Sequence, residues 1–284
     1  MSAMKQIPFP PPTATGPVVM AYGGGVNTMA ALIEATRRGV KFTAIVMADP
    51  GHEWPQTHWY RDNIANPWLI EHGQPTVTVV TRAAEAKFRP RAGLIYQGTL
   101  GEECLRIKAL PSIAYGWKKC SQKYKAAPSN WWIERQPWAQ EAWSRGERIT
   151  RIIGYDADEP SRARPEILDA REASRFVPRY ILLERGIDRD GCIAIIERAG
   201  LPVPHKSACM WCPSNQLAEW REVRDHHPDV YSYALGMEAN AEIDSPDVVG
   251  LVRVMPNGRR QLRMLDEGAP VMEREGEVPC DCAL

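Results

Sequence analysis

The sequence lacks the apolar run that a membrane span needs, because no stretch of its 284 residues approaches about 20 consecutive apolar side chains. It also lacks an excess of charge of one sign, since 35 Lys and Arg residues balance 35 Asp and Glu residues. This balance argues against a dedicated, non-specific nucleic-acid coat. A hydrophobic content of 44% is enough for a sizeable core. We therefore expect one large globular domain, or one domain with an appendage, and no membrane partner.

The N-terminal segment has no apolar signal core, because residues 1–12 are rich in proline. We therefore predict a disordered leader over residues 1–16 and a cytoplasmic protein. The seven cysteines of such a protein indicate metal or redox chemistry more often than structural disulfides.

Apolar, β-branched runs alternate with helical patterns along residues 17–170. They predict a strand before Gly23, further strands over 42–48, 76–80 and 149–153, and helices over 54–71 and 130–145. This alternation predicts an α/β domain with a Rossmann-like parallel sheet. Residues 171–245 predict a helical, cysteine-bearing extension with helices over 189–199, 215–226 and 230–241. For residues 246–284 we predict an irregular tail with a hairpin of strands 250–254 and 260–264.

An apolar, Val-rich run ends in the three glycines Gly23, Gly24 and Gly25, and a helical pattern follows. Glycines let backbone N–H groups approach a ligand closely, and Asn27 or Thr28 can cap the helix, whose N-terminus favours an anion. The segment matches neither G-x-G-x-x-G nor G-x-x-x-x-G-K-[ST], which argues against those dinucleotide and nucleotide loops. We interpret it as a phosphate or sulfate site; a strand-to-helix turn with glycines for geometry alone is the alternative.

Asp49 follows the second predicted strand, where a carboxylate can accept from a ribose or nucleobase, hold a metal ion, or cap the next helix. The segment Asp49-Pro50-Gly51, followed by Trp54-Pro55-Gln56-Thr57, resembles the D-T-G-x-x-F-P-E-T motif of the phosphoadenylyl-sulfate (PAPS) and adenylyl-sulfate (APS) reductases. These enzymes belong to the PP-loop, or adenine-nucleotide α-hydrolase-like, superfamily. Residues 23–28 are similar to the S-G-G-x-D-S loop of that superfamily.

Three later segments resemble the same family in the same order. Residues 120–128 are similar to C-C-x-x-R-K-x-x-P, residues 154–163 to G-x-R-x-D-E-S-x-x-R-A, and residues 207–213 to S-x-G-C-x-x-C. The resemblance covers about residues 17–230. Together with the loop and strand-end chemistry it predicts an adenine-nucleotide site of Tyr22, Gly23, Gly24, Gly25, Asn27, Thr28, Asp49, Lys125, Glu159 and Arg162. Lys125 and Arg162 are the cations expected on a phosphate or sulfate, and Glu159 is expected to orient Arg162.

The Cys209-x-x-Cys212 spacing places two thiolates where they can share one metal centre. The resemblance makes Cys120 a third ligand of a [4Fe–4S] cluster, but the expected fourth ligand is Ser121 in this sequence. Cys192 can take its place, or the cluster keeps three thiolates and one open iron, as the resemblance to cluster-containing tRNA-thiolating PP-loop enzymes allows. Zinc on four cysteines and ordinary buried thiols are the alternatives. Cys104 is interpreted as a core thiol.

Cys280 and Cys282 lie beside the C-terminus. In the APS and PAPS reductases a C-terminal cysteine attacks the sulfur of the bound nucleotide, so the resemblance makes these two residues the candidate nucleophiles. The surrounding sequence differs from the E-C-G-L-H motif of those enzymes. A tail without a role and a metal-scavenging pair are the alternatives.

Residues 115–135 interleave lysines with Trp117, Tyr124, Trp131 and Trp132. Cations for a phosphate backbone and flat rings for bases suit a single-stranded nucleic acid, which would then be an acceptor substrate. Aromatic side chains that pack a helix, with a solvated basic rim, are the alternative interpretation.

The sequence thus predicts a PAPS-reductase-like PP-loop protein with an iron–sulfur cluster, acting in sulfur transfer. In the ATP-pyrophosphatase form, ATP with Mg²⁺ activates an acceptor and a sulfur-donor protein supplies sulfur. Asn27 replaces the loop Asp that would help to hold the metal, which weakens this form. One alternative is a PAPS or APS reductase that releases sulfite and draws on an electron-donor protein; the other is a non-catalytic nucleotide- or nucleic-acid-binding module.

Overall fold

The computed structural model of the protein describes residues 16–83, 98–117, 119–163, 170–254 and 258–266. The strands are β1 Val18–Ala21, β2 Ala44–Asp49, β3 Val77–Thr81, β4 Ile149–Ile153, β5 Phe176–Arg179, β6 Val252–Val254 and β7 Gly258–Arg260. The α-helices are α1 Val26–Arg37, α2 Pro55–Tyr60, α3 Asn66–Glu71, α4 Leu100–Arg106, α5 Lys119–Ser121, α6 Ala127–Glu134, α7 Pro137–Ser144, α8 Ala170–Arg175, α9 Ile181–Glu184, α10 Arg189–Arg198, α11 Leu217–His226, α12 Pro228–Glu242 and α13 Arg263–Asp266. The chain also forms π-helical turns at Arg61–Ala65 and Gln122–Ala126, and 3-10 turns at Ser112–Tyr115 and Pro160–Arg162.

Strands β1 to β5 form one sheet in the order β3-β2-β1-β4-β5, and each pairing in it is parallel. Helices connect the strands, and all of the carboxyl ends therefore lie at one edge of the sheet, where ligands of such folds bind. The predicted α/β fold class with a Rossmann-like parallel sheet is confirmed.

The side chains of β1 alternate between the two faces of the sheet, as the pleat of a strand requires. Val18 and Met20 enter an apolar cluster with α1, α9 and α10, which we call the sheet core; Leu32, Ile45 and Ile196 are fully buried in it. On the opposite face, Val19 packs in a smaller cluster under α6 and α7. Because both faces are covered, the central strands are continuous apolar runs rather than alternating ones.

A second apolar cluster, which we call the cysteine core, lies around α4, α11 and α12. The indoles of Trp54, Trp211 and Trp220 are fully buried in it. Four thiols share this cluster: those of Cys104, Cys120, Cys209 and Cys212.

The structure differs from the sequence predictions at several elements. Strand β5 was not predicted, and because it pairs with β4, the sheet runs past residue 170, where the predicted helical extension begins. Helix α4 was not predicted either, although Thr99 and Glu102 form a capping box at its start. The hairpin forms from β6 and β7, but the predicted second strand, 260–264, lies too far along the chain, because β7 ends at Arg260 and α13 begins at Arg263. Within the described ranges, none of the helices has the length and apolar content of a membrane span.

Candidate functional site

The glycine loop joins β1 to α1 at the carboxyl edge of the sheet, and close approach requires its glycines. Gly24 has a φ of +84°, and a Cβ there would lie 2.4 Å from Cγ2 of Thr57. From the end of β4, Gly154 approaches equally closely, since a Cβ on it would lie 2.8 Å from Cα of Thr28. The loop is therefore clamped between α2 and the end of β4.

The predicted cap of α1 was wrong. The N-cap residue is Gly25, which has no side chain, and Asn27 and Thr28 lie within the first turn of the helix. The Thr28 hydroxyl donates to the Gly25 carbonyl at 2.9 Å. Because no side chain caps this end, the N-terminal backbone N–H groups of α1 face the loop, as an anion site requires.

Asn27 is the centre of a polar network that connects the loop to the segment after β4. Its Nδ2 donates to Oδ2 of Asp156 at 2.8 Å and to Oε2 of Glu159 at 3.3 Å. Its Oδ1 accepts a hydrogen bond from Nη1 of Arg189 at 3.0 Å. Burial raises the pKa of Asp156, although the hydrogen bond from Asn27 opposes this rise.

Arg162 belongs to the same network, because its Nη1 pairs with Oε1 of Glu159. The guanidinium also lies over the ring of Tyr155, 4.5 Å from its centroid. The structure thus brings Asn27, Glu159 and Arg162 together. Sequence reasoning missed Asp156, which lies in a matched segment, and Arg189, the first residue of α10, which only the fold brings to the loop.

Asp49 ends β2, next to the loop in the sheet. Its Oδ1 accepts from the backbone N–H of Gly51 at 2.7 Å, and its Oδ2 lies 3.6 Å from Nε2 of His58. Asp49 therefore stabilises the turn after β2 rather than capping α2, whose N-cap is Trp54. A carboxylate held in this way at a strand end can still accept from a ligand hydroxyl.

The Cys209-x-x-Cys212 segment docks directly on the glycine loop. The Ser207 hydroxyl donates to the Gly23 carbonyl, and a Cβ on Gly25 would lie 3.6 Å from the Ser207 Cβ. The same segment contacts the turn after β2, since the Met210 N–H donates to the His52 carbonyl at 2.9 Å and Cys209 bridges to Glu53. The thiol-bearing segment is therefore attached both to the glycine loop and to the turn after β2.

The predicted cysteine ligands do not assemble into one site in the part of the chain that the structure describes. Cys120, Cys209 and Cys212 lie in the cysteine core, but Cys192 is buried in the sheet core. The prediction of Cys192 as a fourth ligand was therefore wrong. Cys192 lies on α10, which packs against α1, and burial raises the pKa of its thiol to about 12. Cys104 is a buried core thiol as predicted; burial first, then Glu103 and Cys120, raises its pKa to about 12.

A cluster or a zinc ion needs three or four ligands at one point. Among the described residues, no three His, Cys, Asp or Glu side chains form such a group. The described thiols therefore do not fit the predicted [4Fe–4S] cluster. The candidate nucleophiles Cys280 and Cys282 lie outside the described residues.

Lys125 lies half-buried on the π-helical turn Gln122–Ala126, which packs on β2. Tyr22, predicted as a nucleotide ligand, is 1% exposed and its ring packs in the sheet core. Its hydroxyl has no hydrogen-bond partner among the described residues, and burial raises its pKa. We therefore regard Tyr22 as a packing residue that precedes the loop.

The basic, aromatic stretch of residues 115–135 divides into two parts. Tyr124 and Trp131 are buried, as the packing alternative requires. Trp117 is 64% exposed, and Nζ of Lys119 lies 6.0 Å from its ring centroid. Only the exposed part is open to a flat ligand.

The fold and the site define a class: an α/β protein with a Rossmann-like parallel sheet and a cysteine segment docked on a glycine loop at the sheet edge. No family model matches the sequence, and no curated protein matches it. Among solved structures, the chain is similar to the U34-tRNA thiolase NcsA from Methanococcus maripaludis with its [4Fe-4S] cluster. The two are 12% identical with a TM-score of 0.36, and the match covers 92% of this chain and 84% of that chain.

Proposed function

We propose that this protein is an adenine-nucleotide-binding PP-loop enzyme of sulfur transfer, with the nucleotide's phosphate or sulfate group over residues 23–28. The observation that carries the proposal is the docking of the cysteine segment on the glycine loop through Ser207 and Gly23. An enzyme of sulfur transfer needs an anion site beside a cysteine-bearing element, and this contact supports that arrangement. The sulfur or thiol that reacts comes from a donor protein or from Cys280 and Cys282.

In the proposed site, the backbone N–H groups at the start of α1 and the guanidinium of Arg162 hold the anion. Glu159 orients Arg162, as their pairing supports. Asp49 accepts from the ribose or the base, and Lys125 adds a second cation from the turn on β2. The groups end or follow strands β1, β2 and β4 in the chain, except for Lys125, which lies on a turn that packs on β2. The site is therefore largely preformed.

In the activation reaction, an acceptor oxygen attacks the α-phosphorus of ATP and pyrophosphate leaves, giving an adenylated acceptor. Sulfur from a donor protein then attacks the activated acceptor carbon and displaces AMP. The proposed acceptor is a nucleic acid, because the exposed ring of Trp117 beside Lys119 suits a base next to a phosphate.

Reduction of PAPS or APS is the second candidate, and the neutral Asn27 favours it because the loop offers no carboxylate of its own to Mg²⁺. A thiolate of Cys280 or Cys282 attacks the sulfate sulfur, and the nucleotide phosphate leaves. A second thiol then attacks the Cys sulfur of the S-sulfocysteine, so that sulfite leaves and a disulfide forms. An electron-donor protein reduces this disulfide.

Nucleotide binding tests the common part of the proposal. We expect ATP, PAPS or APS to raise the melting temperature of anaerobically purified protein, and GTP to have a smaller effect. Arg162→Gln should weaken binding about 10- to 100-fold, because a charge-assisted contact is lost. Arg106→Gln, on the far end of α4, is the matched control. Equal affinity in the two variants would contradict the role of Arg162.

Product analysis separates the two reactions. Pyrophosphate released from ATP and Mg²⁺ supports activation, whereas sulfite released from PAPS or APS with a reduced thiol donor supports reduction. Release of neither product from nucleotide-bound protein would support the non-catalytic module. Iron, acid-labile sulfide and zinc content test the cluster that the sequence resemblance predicts, and zinc without iron would exclude it.

A further inference from the structure

Two buried carboxylates and two guanidiniums surround the first turn of α1. Asp156 and Glu159 are 2% and 5% exposed, and both accept from the Asn27 amide. Arg162 pairs with Glu159, and Arg189 donates to Asn27. The formal charges of these four groups cancel before any ligand arrives.

Both the nitrogen and the oxygen of the Asn27 amide have suitable hydrogen-bond partners in this cluster. Its nitrogen needs acceptors and finds Asp156 and Glu159, while its oxygen needs a donor and finds Arg189. A carboxylate at position 27 would accept from Arg189 equally well, but it would face the two acidic side chains across 2.8 and 3.3 Å without a proton to share. A neutral, two-ended side chain is therefore built into this position.

A divalent cation at this point would need the lone pairs of Asp156 and Glu159, which the Asn27 and Arg162 donors already engage. An anion, in contrast, needs N–H donors of the kind that a planar guanidinium provides. Arg189 opens α10, and its N-terminal position is fixed by the N-cap Asp188, whose Oδ1 accepts from the Gly191 N–H at 2.8 Å. Its backbone N–H also donates to Asp158 at 3.1 Å, which ties α10 to the segment after β4.

We propose that Arg189, together with Arg162, takes the place of a divalent cation in this loop: the two guanidiniums donate hydrogen bonds to the nucleotide's phosphate or sulfate group, and binding requires no Mg²⁺. Arg189 is thus a binding residue, and it also holds Asn27 in place. This inference rests on the proposed nucleotide site and adds the side chains that donate to its anion.

Calorimetric titration of the full-length protein with ATP and with PAPS tests the inference, in EDTA and in excess Mg²⁺. We expect the dissociation constant of the better ligand to agree within about twofold between the two buffers. Arg189→Gln should weaken that ligand about 10- to 100-fold and leave adenosine, which carries no anion, within about twofold. Arg189→Lys should recover part of the loss, because it keeps the charge without the planar fork.

Arg185→Gln is the matched control, since Arg185 lies four residues earlier and pairs with Glu34 at 3.2 Å on the outer side of α1. A loosened α1 would weaken adenosine and nucleotide alike, and that result would overturn an anion-specific role for Arg189. Asn27→Asp gives a second test: the melting temperature should fall in EDTA and recover with Mn²⁺, because three carboxylates then converge. A melting temperature unchanged in EDTA would contradict the charge balance around Asn27.

Binding by the wild-type protein distinguishes failure of the proposed function from failure of the proposed role of Arg189. If no adenine nucleotide binds in either buffer, the proposed function is wrong. If a nucleotide binds in Mg²⁺ and not in EDTA, the proposed function stands and the inference about Arg189 is overturned.

Discussion

The sheet core and the cysteine core are both fully buried, but they are built from different side chains. The sheet core is largely aliphatic, and residues such as Leu32 and Ile33 recur at helical spacing on α1. The cysteine core combines indoles and thiols with buried carboxylates, among them Glu238. A repeating apolar pattern therefore specifies the sheet core, whereas individual polar contacts help to specify the cysteine core.

The largest expected effect comes from Trp220 in the cysteine core. Trp220→Ala should lower the free energy of unfolding by about 3–5 kcal/mol, because it removes a fully buried indole and leaves a cavity. Chemical denaturation followed by circular dichroism measures this loss. Trp59→Ala is the matched control, since Trp59 is 57% exposed and its removal should change the free energy by no more than about 0.5 kcal/mol.

Hydrogen exchange shows whether the two cores unfold separately. If they do, Trp220→Ala should reduce amide protection in α11 and α12 more than in α1, and Leu32→Ala should do the reverse. Equal loss of protection in both cores would mean that they unfold as one cooperative unit. The two cores would then differ in their side chains but not in their stability.

The sequence was most informative in the sheet core. Strands β2, β3 and β4 lie within two residues of their predicted bounds, because buried parallel strands are continuous apolar runs. Strand β5 escaped prediction since it has four residues, among them Pro178, which a strand tolerates at a sheet edge. Helix α4 is also short, and only its capping box marks it.

The candidate site was predicted in part. Glu159 and Arg162 lie three residues apart, so local spacing was enough to pair them. Arg189 lies 162 residues from Asn27, and no local pattern predicts a contact over that distance. Cys192 shows the opposite failure, because its side-chain type suggested a ligand while the packing of α10 on α1 buries it elsewhere. Residue types indicate which chemistry a side chain can perform, but only the fold shows which side chains lie together.

Glu238 is a buried carboxylic acid in the cysteine core, and it makes the stability of the protein depend on pH. Its Oε1 and Oε2 accept from the backbone N–H groups of Leu251 and Leu262 at 2.7 and 2.6 Å. Burial raises its pKa from 4.5 to about 7; the two N–H donors and Arg263 oppose this rise and Glu242 adds to it. The folded protein therefore holds this proton more tightly than the unfolded chain.

The sign of the pH dependence follows from this linkage. The contribution of Glu238 to stability is fully present below pH 4.5 and is lost as the pH rises to about 7. The total loss is about 3 kcal/mol. Denaturant titrations between these pH values measure the slope, and Glu238→Gln should flatten it whatever its effect on absolute stability. An unchanged slope in the variant would assign the pH dependence to other groups.

The smallest effect is expected at Gly236, an exposed position inside α12 with no heavy atom within 4 Å of an added Cβ. Gly236→Ala should raise the free energy of unfolding by about 0.5–1 kcal/mol, because alanine loses less backbone entropy in a helix. Gly154→Ala, at the end of β4, should instead destabilise the protein by about 1–3 kcal/mol, since its Cβ would meet backbone atoms of Thr28 that cannot rotate away. Thermal unfolding of the two variants measures both signs. Stabilisation by Gly154→Ala would mean that the glycine loop moves to accept the methyl group. The loop would then not be clamped between α2 and the end of β4, as the nucleotide site requires.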